Sequence, residues 1–504
     1  MYRFSYLVTY RESDKSRLSN LLYILDQLRL DSTLEVVLVE QDAAPRLAVK
    51  QHSNLNYVFV ENAGQFNKSW GLNIAASLAS CERLVFADAD MLIGAAALDE
   101  SSKQLDNGVD AVNPYNVLVD LTQQESQRLL AHTGTVKIDR TTEQLNRKPI
   151  GQHPPFCGGV FVITRSLYDL TGGLDERFEG WGGEDDAMSK RVAFFASKTT
   201  TLNNIGYHLW HEPSGRAGDY PPSYIRNVAL LTMYYERQQS FYQSVARVDA
   251  TSNGSHAKYK IEESVAKINY QQPLISCLCV TRNRVPQLAR AISCFQAQSY
   301  PVKELMVVCE ADDSATIDYL GGLDDDEIKH HIVPIEPKLN LGELRNLSIQ
   351  IAGGQFVCQW DDDDWYHPER LAKQLASALR QNKAASILPR WLIHQQQSDK
   401  VFCSNVRLWE GSLLCRKSAL PATGAYDIRT KGEDSKLIET LFIQDQISIE
   451  DSPELYVYCL SGENTWDQAH FEKIIEASVE LSVEDAQAVR KRTAVGPAPQ
   501  EGER

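Results

Sequence analysis

The chain has 504 residues, of which 43% are hydrophobic and 23% are charged, and its formal net charge is -16. This length allows about two to four domains, and the composition is typical of a globular protein rather than a disordered one. The negative charge argues against nucleic acid as the main partner, because a phosphate backbone binds to basic surfaces.

The chain begins with MYRFSYLVTYRES, which lacks the apolar core of a signal peptide. No apolar run in the sequence approaches the roughly 20 residues that span a bilayer. The ten cysteines contain no CxxC pair, and several lie inside apolar strand-like runs, so we expect reduced, buried thiols. Together these features predict a cytoplasmic protein with at most peripheral contact at the inner face of a membrane.

The first segment of the chain alternates strand and helix patterns. The predicted strands cover 4–9, 34–39, 57–60 and 83–90, and the predicted helices cover about 15–30 and 70–79. The last of these strands ends on Asp88-Ala89-Asp90. This alternation is typical of an α/β fold with a parallel sheet flanked by helices.

A second segment repeats the same order. Its predicted strands cover 274–280, 304–309 and 355–360, and its predicted helices cover about 288–298 and 344–352. The last strand runs into four consecutive aspartates, Asp361 to Asp364. Beyond each acidic cluster come a glycine-led strand, at 158–163 and 411–415, and a Gly-Glu-Asp triplet, at 183–185 and 432–434. Four matching features in the same order indicate two diverged copies of one fold.

We therefore predict two Rossmann-like α/β domains in tandem, each with a mostly parallel central sheet. The first domain covers residues 1–250 and includes a helical extension, and a linker covers 251–272. The second domain covers residues 273–480, and residues 481–504 form a flexible tail.

The first acidic cluster places two carboxylates, Asp88 and Asp90, at the carboxyl end of a strand, where open α/β sheets bind ligands. A divalent cation held there by oxygen ligands would neutralise the charge on a departing diphosphate. On its own, such a triplet is more often a solvated turn. The later sequence WGGEDD, residues 181–186, adds glycines for close backbone approach and an acid that could take a proton from a hydroxyl group. The alternative is a glycine turn before an acid-capped helix.

These residues resemble the β1,4-galactosyltransferase family and the related N-acetylgalactosaminyltransferase half of bacterial chondroitin polymerases. The resemblance covers about residues 4–215 and includes Phe66-Asn67-Lys68, Leu72-Asn73 and Cys157-Gly158-Gly159. The resemblance implies a GT-A fold, a UDP-sugar donor, manganese, and inversion at the anomeric carbon. It implies Asp185 as the catalytic base, Asp90 on the metal, and Asp88 at the ribose or the metal. It also implies donor or acceptor contacts from Arg11, Glu40, Asn67, Lys68, Trp181, Gly182, Gly183 and Glu184.

Members of this family supply a further metal ligand from a histidine after the last core strand, and His208 and His211 are the candidates. Residues three apart on a strand face opposite sides, so we expect only one of them to bind the metal. A lone histidine is more often structural than a ligand, and both interpretations stay open at this point.

The second acidic cluster, Asp361 to Asp364, is denser. Its carboxylates repel one another unless a cation or another partner compensates them, and the alternative is a solvated acidic loop or a helix cap. With Thr281-Arg282-Asn283, residues 310–313, residues 342–346 and the triplet 432–434, it resembles the large family of inverting GT-A transferases that includes cellulose and chondroitin synthase modules. The resemblance covers about residues 273–445.

This second resemblance implies Asp434 as the catalytic base, Asp363 on the metal and Asp361 near the ribose. It places Glu310 or Asp312 near the nucleotide base. Further donor or acceptor contacts are expected from Thr281, Arg345, Asp362, Trp409 and Glu433. The Gln-x-x-Arg-Trp motif of membrane-embedded processive synthases is absent from the sequence, which argues against that class.

We expect a bifunctional enzyme that transfers sugars from UDP-sugars to a bacterial capsule, lipopolysaccharide or related glycan. Each domain would hold one Mn²⁺ or Mg²⁺, and the acceptor would be an oligosaccharide or a lipid-linked glycan. The alternative is that only one domain is catalytic and the other binds or positions glycan, but both copies keep an acidic cluster and a candidate base. A third interpretation, a sugar-nucleotide pyrophosphorylase, is disfavoured because residues 4–14 lack the glycine-rich, basic signature of that class.

Overall fold

The computed structural model describes residues 2–131, 156, 158–212, 222–259, 272–421, 424–462, 464 and 468–493. Contacts divide the chain into two compact units, which are residues 1–266 (unit 1) and 267–504 (unit 2). Within the described ranges, no helix is both long and apolar enough to cross a membrane. The nine cysteines in these ranges are all free, and eight of them are buried.

The described part of unit 1 contains ten strands and eight helices. The strands are β1 (Phe4–Tyr10), β2 (Leu34–Asp42), β3 (Leu55–Glu61), β4 (Arg83–Ala87), β5 (Met91–Ile93), β6 (Ala111–Asn113), β7 (Val117–Asp120), β8 (Val160–Thr164), β9 (Thr199–Thr201) and β10 (Ile205–His208). The helices are α1 (Lys15–Leu28), α2 (Lys68–Leu78), α3 (Ala95–Asp106), α4 (Gln123–Leu130), α5 (Arg165–Thr171), α6 (Glu184–Phe195), α7 (Pro222–Glu236) and α8 (Gln239–Ser252).

These strands form a seven-stranded sheet in the order β3-β2-β1-β4-β8-β6-β9 and a three-stranded sheet in the order β5-β10-β7. In the large sheet, β8 runs antiparallel to β4 and β6, and the other neighbours pair in parallel. All seven residues of β1 are buried, as expected for a central strand that is covered on both faces. Because β1, β2 and β4 are parallel, their carboxyl ends meet at one edge, and Asp88 directly follows β4.

Unit 2 contains twelve strands and seven α-helices in its described residues. The strands are β11 (Ile275–Val280), β12 (Lys303–Glu310), β13 (Ile328–Val333), β14 (Phe356–Gln359), β15 (Trp365–Tyr366), β16 (Ala385–Ile387), β17 (Leu392–Gln395), β18 (Lys400–Cys403), β19 (Leu414–Arg416), β20 (Ile447–Ile449), β21 (Tyr456–Leu460) and β22 (Val479–Glu480). The helices are α9 (Val285–Gln296), α10 (Ser314–Gly321), α11 (Leu341–Ile351), α12 (Arg370–Arg380), α13 (Ser435–Ile443), α14 (Gln468–Glu476) and α15 (Val483–Thr493).

The large sheet of unit 2 has the order β13-β12-β11-β14-β19-β16-β20, and a smaller sheet has the order β15-β21-β17-β18-β22. Strand β19 is antiparallel to β14 and β16, and the other pairs of the large sheet are parallel, so every pair has the same direction as its counterpart in unit 1. The predicted architecture of two tandem α/β domains with mostly parallel central sheets is confirmed.

A buried serine and a partly buried glutamate fasten the first strands of unit 1 together. The Ser5 hydroxyl on β1 donates to Glu35 on β2. The serine oxygen also accepts from the Cys81 N–H at 3.1 Å, and Glu35 accepts from the Ser80 N–H at 2.7 Å. This serine–glutamate pin therefore satisfies two backbone donors just before β4 begins.

The same pin recurs in unit 2. The Ser276 hydroxyl on β11 donates to Glu304 on β12 at 2.5 Å. The serine oxygen accepts from the Gly354 N–H at 2.8 Å, and Glu304 accepts from the Gly353 N–H at 2.6 Å, just before β14 begins. The two units therefore share this serine–glutamate pin as well as a strand order.

A buried ion network ties together the helices on one side of unit 1. Arg191 on α6 donates to Asp249 on α8 at 2.5 Å and to the Tyr234 hydroxyl on α7 at 3.1 Å. Arg177 pairs with Asp175 and with Asp249, each at 2.8 Å, and all four charged side chains are at most 5% exposed. Since an unpaired charge is costly in this setting, the network fixes α6 relative to its neighbours.

The segment after α8 belongs to the framework of unit 1. The Tyr259 hydroxyl donates to Glu179 at 2.7 Å and accepts from Asn67 Nδ2 at 2.9 Å. The Trp70 indole N–H donates to the Ser255 carbonyl at 2.8 Å. The expected linker at 251–272 therefore begins inside α8 and continues through a packed segment, and residues 260–271 lie outside the described part of the chain.

The C-terminal tail and the helical extension also differ from the expectation. The stretch expected to be a flexible tail contains helix α15, because Ala486 and Val489 are buried against Val401 and Val457. Residues 494–504 are not described. The helical extension expected in the first domain is two helices, α7 and α8, that are separated at residues 237–238.

One expected strand begins later than predicted, and one strand of unit 2 was not predicted. A 3-10 turn covers Glu410–Ser412, so Gly411 does not lead a strand and β19 begins later. Strand β13 was not predicted, because its sequence IKHHIV has an exposed, polar centre and lies at the edge of the sheet.

Candidate active sites

The first candidate site forms where β4 ends and β8 begins. The Gly159 N–H donates to Asp88 Oδ2 at 3.0 Å, and the Asp88 N–H donates to the Gly159 carbonyl at 2.9 Å. Gly159 has φ +78°, and a Cβ there would lie 2.2 Å from the Tyr115 hydroxyl oxygen. Only glycine fits this approach, so Asp88 is held by the backbone of a neighbouring strand. Cys157 of the same motif lies outside the described residues.

Lys68, the first residue of α2, places its ammonium group among three carboxylates. Its Nζ is 2.7 Å from Asp88 Oδ1, 3.0 Å from Asp185 Oδ1 and 3.5 Å from Glu184 Oε1. Burial lowers the pKa of Lys68, but the three carboxylates outweigh this effect and raise the pKa well above its ordinary value. The cation therefore joins the end of β4 to the Gly-Glu-Asp triplet.

Asp185 lies in the first turn of α6, where the helix N-terminus favours negative charge. Burial raises the pKa of Asp185 to about 8; Lys68 lowers it, while Glu184 and Asp88 raise it further. A carboxylate that exchanges its proton near neutral pH suits the role of a general base.

Trp181 and the two glycines after it border this site. Gly182 and Gly183 have φ values of +94° and +91°, which lie in the left-handed region that favours glycine. The Trp181 side chain stacks on Tyr224 with ring centroids 5.1 Å apart, and Trp181 is 45% exposed. This pair offers an open aromatic face of the kind that sugar rings contact.

Asp90 lies close to both candidate histidines. Asp90 Oδ1 is 3.7 Å from His208 Nε2, and Asp90 Oδ2 is 3.4 Å from His211 Nε2. The expectation that the two histidines face opposite sides was wrong. Strand β10 ends at His208, so the alternation of strand faces does not extend to His211.

The chemistry of this group fits a divalent transition metal. One carboxylate oxygen and two imidazole nitrogens lie within 4.8 Å of one another. His208 Nδ1 is 2.9 Å from Asp120 Oδ1, and His211 Nδ1 is 2.9 Å from the Glu212 carbonyl oxygen, so each ring presents Nε2 to Asp90. Burial lowers the pKa of His211, which favours the neutral form that binds a metal.

The structure gives Arg11 and Glu40 partners within the protein. The Arg11 guanidinium donates to the carbonyl oxygens of Gln41, Asn62 and Gly64 at 2.6–2.8 Å. Glu40 is fully buried, and it accepts from the N–H groups of its own loop at 46–47 and from a tyrosine hydroxyl. These two residues therefore stabilise the loops that follow β2 and β3.

Asn67 has a similar supporting role. It is fully buried and caps α2 by accepting from the Trp70 N–H at 2.8 Å, and it donates to the Glu176 carbonyl at 2.8 Å. Its position directly before Lys68 fixes where that side chain starts.

In unit 2, Arg345 on α11 occupies the place that Lys68 has in unit 1. Its Nη2 is 2.9 Å from Asp361 Oδ1, and its Nε is 3.0 Å from Glu433 Oε1. Burial raises the pKa of Asp434 to about 7, with Glu410 and Glu433 raising it further and Arg345 lowering it. A cation again joins a strand-end aspartate to the Gly-Glu-Asp triplet.

The remaining aspartates of the second cluster have separate partners. Asp362 Oδ2 accepts from the Thr281 hydroxyl at 2.6 Å. Asp363 Oδ2 is 2.9 Å from Arg284 Nη1 and 3.3 Å from Asn464 Nδ2. No group of three His, Cys, Asp or Glu ligand atoms surrounds Asp363 in the described part of unit 2, so the donor set seen around Asp90 is not repeated there.

Asp364 is a structural residue. It has no exposed surface, and it accepts from the Cys459 N–H at 2.9 Å and from the Tyr456 hydroxyl. Its carboxylate fastens the start of β15 to β21, which explains a fourth acid that the expected chemistry did not use.

Three further residues were expected to contact the donor or acceptor of the second site, namely Glu310, Asp312 and Trp409. Arg282 contacts both Glu310 and Asp312, and its Nη2 is 2.8 Å from Asp312 Oδ2. Trp409 is 4% exposed and stacks on Trp391 with ring centroids 4.4 Å apart, so it belongs to the core behind the site.

Sequence reasoning missed Arg17, Arg284, Glu410, Tyr224 and Asp120. Arg17 and Arg284 each lie at the start of the helix that follows the first strand of a unit, and this repetition was a usable signal. The others come together with the sites only through the tertiary fold.

Comparison with known families gives two different matches along the chain. Residues 145–212 match a family model described as the N-terminal domain of galactosyltransferase, and residues 276–427 match glycosyl transferase family 2. The two resemblances found from motifs are therefore confirmed as two glycosyltransferase-type segments in tandem.

Three relatives extend this picture. A hyaluronan synthase of Pasteurella multocida is 22% identical over 55% of this chain and 27% of its own length. A chondroitin synthase of Escherichia coli is 24% identical over 42% of this chain and 28% of its own length. A beta-1,4-galactosyltransferase 7 of Mus musculus is 27% identical over 23% of this chain and 33% of its own length. The alignments thus span about a quarter to a third of these relatives.

Proposed function

We propose that this chain is a bifunctional inverting glycosyltransferase, which transfers sugars from UDP-sugars to a growing bacterial surface glycan of capsule or lipopolysaccharide type. One observation carries the proposal. In each unit a partly buried cation joins a strand-end aspartate to an acidic Gly-Glu-Asp triplet, through Lys68 in unit 1 and Arg345 in unit 2. Both units therefore keep a charged site at the sheet edge where α/β folds bind ligands.

In unit 1, Asp185 would take the proton from an acceptor hydroxyl as that oxygen attacks the anomeric carbon of the donor. Its raised pKa suits this transfer near neutral pH. Lys68 holds Asp185 and Asp88 at a fixed spacing, and the face of Trp181 would orient the acceptor sugar. Direct displacement from the opposite face inverts the configuration.

Asp90, His208 and His211 would hold a divalent cation, Mn²⁺ or Mg²⁺. Such an ion, when bound, stabilises the negative charge on a UDP leaving group. The two imidazole ligands favour Mn²⁺ over Mg²⁺, because magnesium prefers oxygen ligands.

In unit 2, Asp434 is the equivalent base, and its raised pKa again suits proton transfer. Asp361 would contact the donor, and Arg345 sets its position relative to Glu433. The described residues around Asp363 do not form a metal ligand set, so we derive no step at this site through a metal.

The relatives support the class of product. Two of them are named hyaluronan synthase and chondroitin synthase. A UDP-sugar donor, an oligosaccharide or lipid-linked acceptor, and action at the cytoplasmic face of a membrane form part of this proposal.

The test is a screen of UDP-sugars for UDP release, with and without oligosaccharide acceptors and with Mn²⁺ or Mg²⁺. Asp90→Ala and Asp434→Ala should each remove a different transfer activity. Asp99→Ala and Glu454→Ala, which change surface carboxylates that are 56% and 44% exposed, are the matched controls.

The outcomes separate the alternatives. If either site variant keeps every transfer activity, the two-site proposal fails, and one unit then binds or positions glycan. Absence of UDP release with every donor, in the presence of both metals and an acceptor panel, would refute the proposed function altogether.

A further inference from the structure

An arginine that the proposed chemistry does not use lies against the candidate metal ligand of unit 1. Arg17 Nη1 is 3.5 Å from Asp90 Oδ2, and Arg17 Nε is 3.4 Å from Asp14 Oδ2. The Arg17 side chain is 29% exposed, whereas Asp90 is 11% exposed. A partly exposed guanidinium thus contacts the less exposed carboxylate that would bind the metal.

Helix α1 fixes the backbone position from which the Arg17 side chain extends. The Asp14 side chain caps α1 by accepting from the Arg17 N–H at 2.9 Å. On the same helix, Asn20 Nδ2 donates to the Trp210 carbonyl at 3.1 Å, and Ser16 Oγ accepts from the Glu212 N–H at 3.4 Å. One face of α1 therefore contacts both Asp90 and the loop that carries His211.

Unit 2 has the same arrangement, although the sequences differ. Arg284 directly precedes α9, which follows the first strand of its sheet as α1 does in unit 1. Its Nη1 is 2.9 Å from Asp363 Oδ2 and 3.4 Å from Asp362 Oδ1. A second arginine thus reaches the second acidic cluster from the equivalent helix.

Two positive groups cannot share one carboxylate without a cost. A divalent cation on Asp90 would repel Arg17, which has a long and partly exposed side chain that is free to turn. A diphosphate next to the same ion brings oxygens that match the guanidinium fork. The arginine would therefore exchange a carboxylate partner for a phosphate partner.

We propose that Arg17 and Arg284 bind the diphosphate of the donor, and that Arg17 forms an ion pair with Asp90 until a divalent cation binds to this carboxylate. This inference rests on the proposed function, because it takes a nucleoside diphosphate as the ligand. It assigns Arg17 two opposite effects, since the residue competes with the metal and then assists the nucleotide. In unit 2, Arg284 pairs with the Asp363 carboxylate and serves the diphosphate directly.

The experiment measures binding of Mn²⁺ alone, and of UDP at saturating Mn²⁺, to the full chain by titration calorimetry. Arg17→Ala should tighten Mn²⁺ binding by about two- to fivefold, because it removes a partly exposed ion pair with the ligand. It should weaken UDP binding at the same site by about tenfold, because it removes charge-assisted hydrogen bonds. Arg17→Lys should recover part of the UDP affinity.

The control is Arg29→Ala, which removes an arginine of the α1 C-terminus that pairs with Asp26 at 2.7 Å. It should change neither affinity. Arg284→Ala should weaken UDP binding to the second site without changing the tight Mn²⁺ site. Replacing both His208 and His211 by alanine should abolish the effect of Arg17→Ala on Mn²⁺.

The outcomes distinguish this inference from the proposed function. If the wild-type chain binds both Mn²⁺ and UDP, and Arg17→Ala leaves both affinities unchanged or weakens Mn²⁺ binding, the inference alone is overturned. If the wild-type chain binds neither Mn²⁺ nor UDP, the proposed function is overturned and this inference with it.

Discussion

Replacing Lys68 by methionine tests the charge arrangement of the first site. The substitution keeps most of the side-chain volume and removes the ammonium group, which lies 3.0 Å from Asp185 and 2.7 Å from Asp88. Loss of an opposite charge at contact distance raises a carboxyl pKa by roughly 1–3 units. The pKa of Asp185, raised to about 8 in the wild type, would rise further.

The size of the effect follows from the ionised fraction. With a pKa of about 8, roughly a tenth of Asp185 is ionised at pH 7, and a rise of only one unit leaves about a hundredth. Because the base acts only when it is deprotonated, activity is lost as the pH falls through this pKa. We expect kcat at pH 7 to fall at least about tenfold.

The assay is metal-dependent UDP release at saturating donor and acceptor, measured across the pH range. The acid limb of the kcat profile should move upward by at least about one pH unit in Lys68→Met. Lys103→Met, which changes a lysine that is 71% exposed, should leave the profile in place. An acid limb that stays fixed or moves to lower pH would refute the role given to Lys68, and Asp185→Asn should remove activity at every pH.

Three further predictions concern other parts of unit 1. Asp249→Asn should destabilise the chain by about 3–5 kcal/mol in chemical denaturation, because two buried arginines lose their shared partner, whereas the exposed Asp26→Asn should change stability little. Tyr259→Phe should cost about 1–3 kcal/mol by removing two hydrogen bonds of a partly buried hydroxyl. Tyr235→Phe, at an exposed ring, is its control, and equal stabilities would contradict the framework role. His211→Ala should weaken Mn²⁺ binding at least about tenfold, and wild-type binding should weaken as the pH falls below the lowered pKa of His211; metal affinity that is insensitive to either change would exclude this ligand.

The order of the strands and the position of the acids could be predicted from sequence. Apolar runs of strand length, each ending on a polar residue, placed Asp88 and Asp361 correctly at the edge of a parallel sheet. The glycines before the acidic triplets were also informative, since Gly183 adopts a φ of +91° that few other residues accept. These signals are local, so one sequence is enough to reveal them.

Features that depend on the tertiary fold could not be predicted in this way. Glu40 was expected to contact the donor or acceptor. Its hydrogen bonds to the following loop could not be predicted, because the return path of that loop has no sequence signature. The position of His211 depends on where β10 ends, and the burial of α15 depends on two apolar residues in a mostly polar helix. The sequence also does not reveal which charged side chain reaches the site, because Lys68 and Arg345 occupy equivalent places but extend from different positions along their helices.

The serine–glutamate pin has an evolutionary consequence. If the two units descend from one duplicated ancestor, the pin is a trait that both copies inherited, whereas the cation at the site became lysine in one and arginine in the other. Divergence after duplication then spared the support beneath β4 and β14 and altered the residues at the opposite ends of those strands. Each unit can then evolve separately. Exchange of the loops that follow β4 or β14 would change the donor preference of one unit and leave its serine–glutamate pin unchanged.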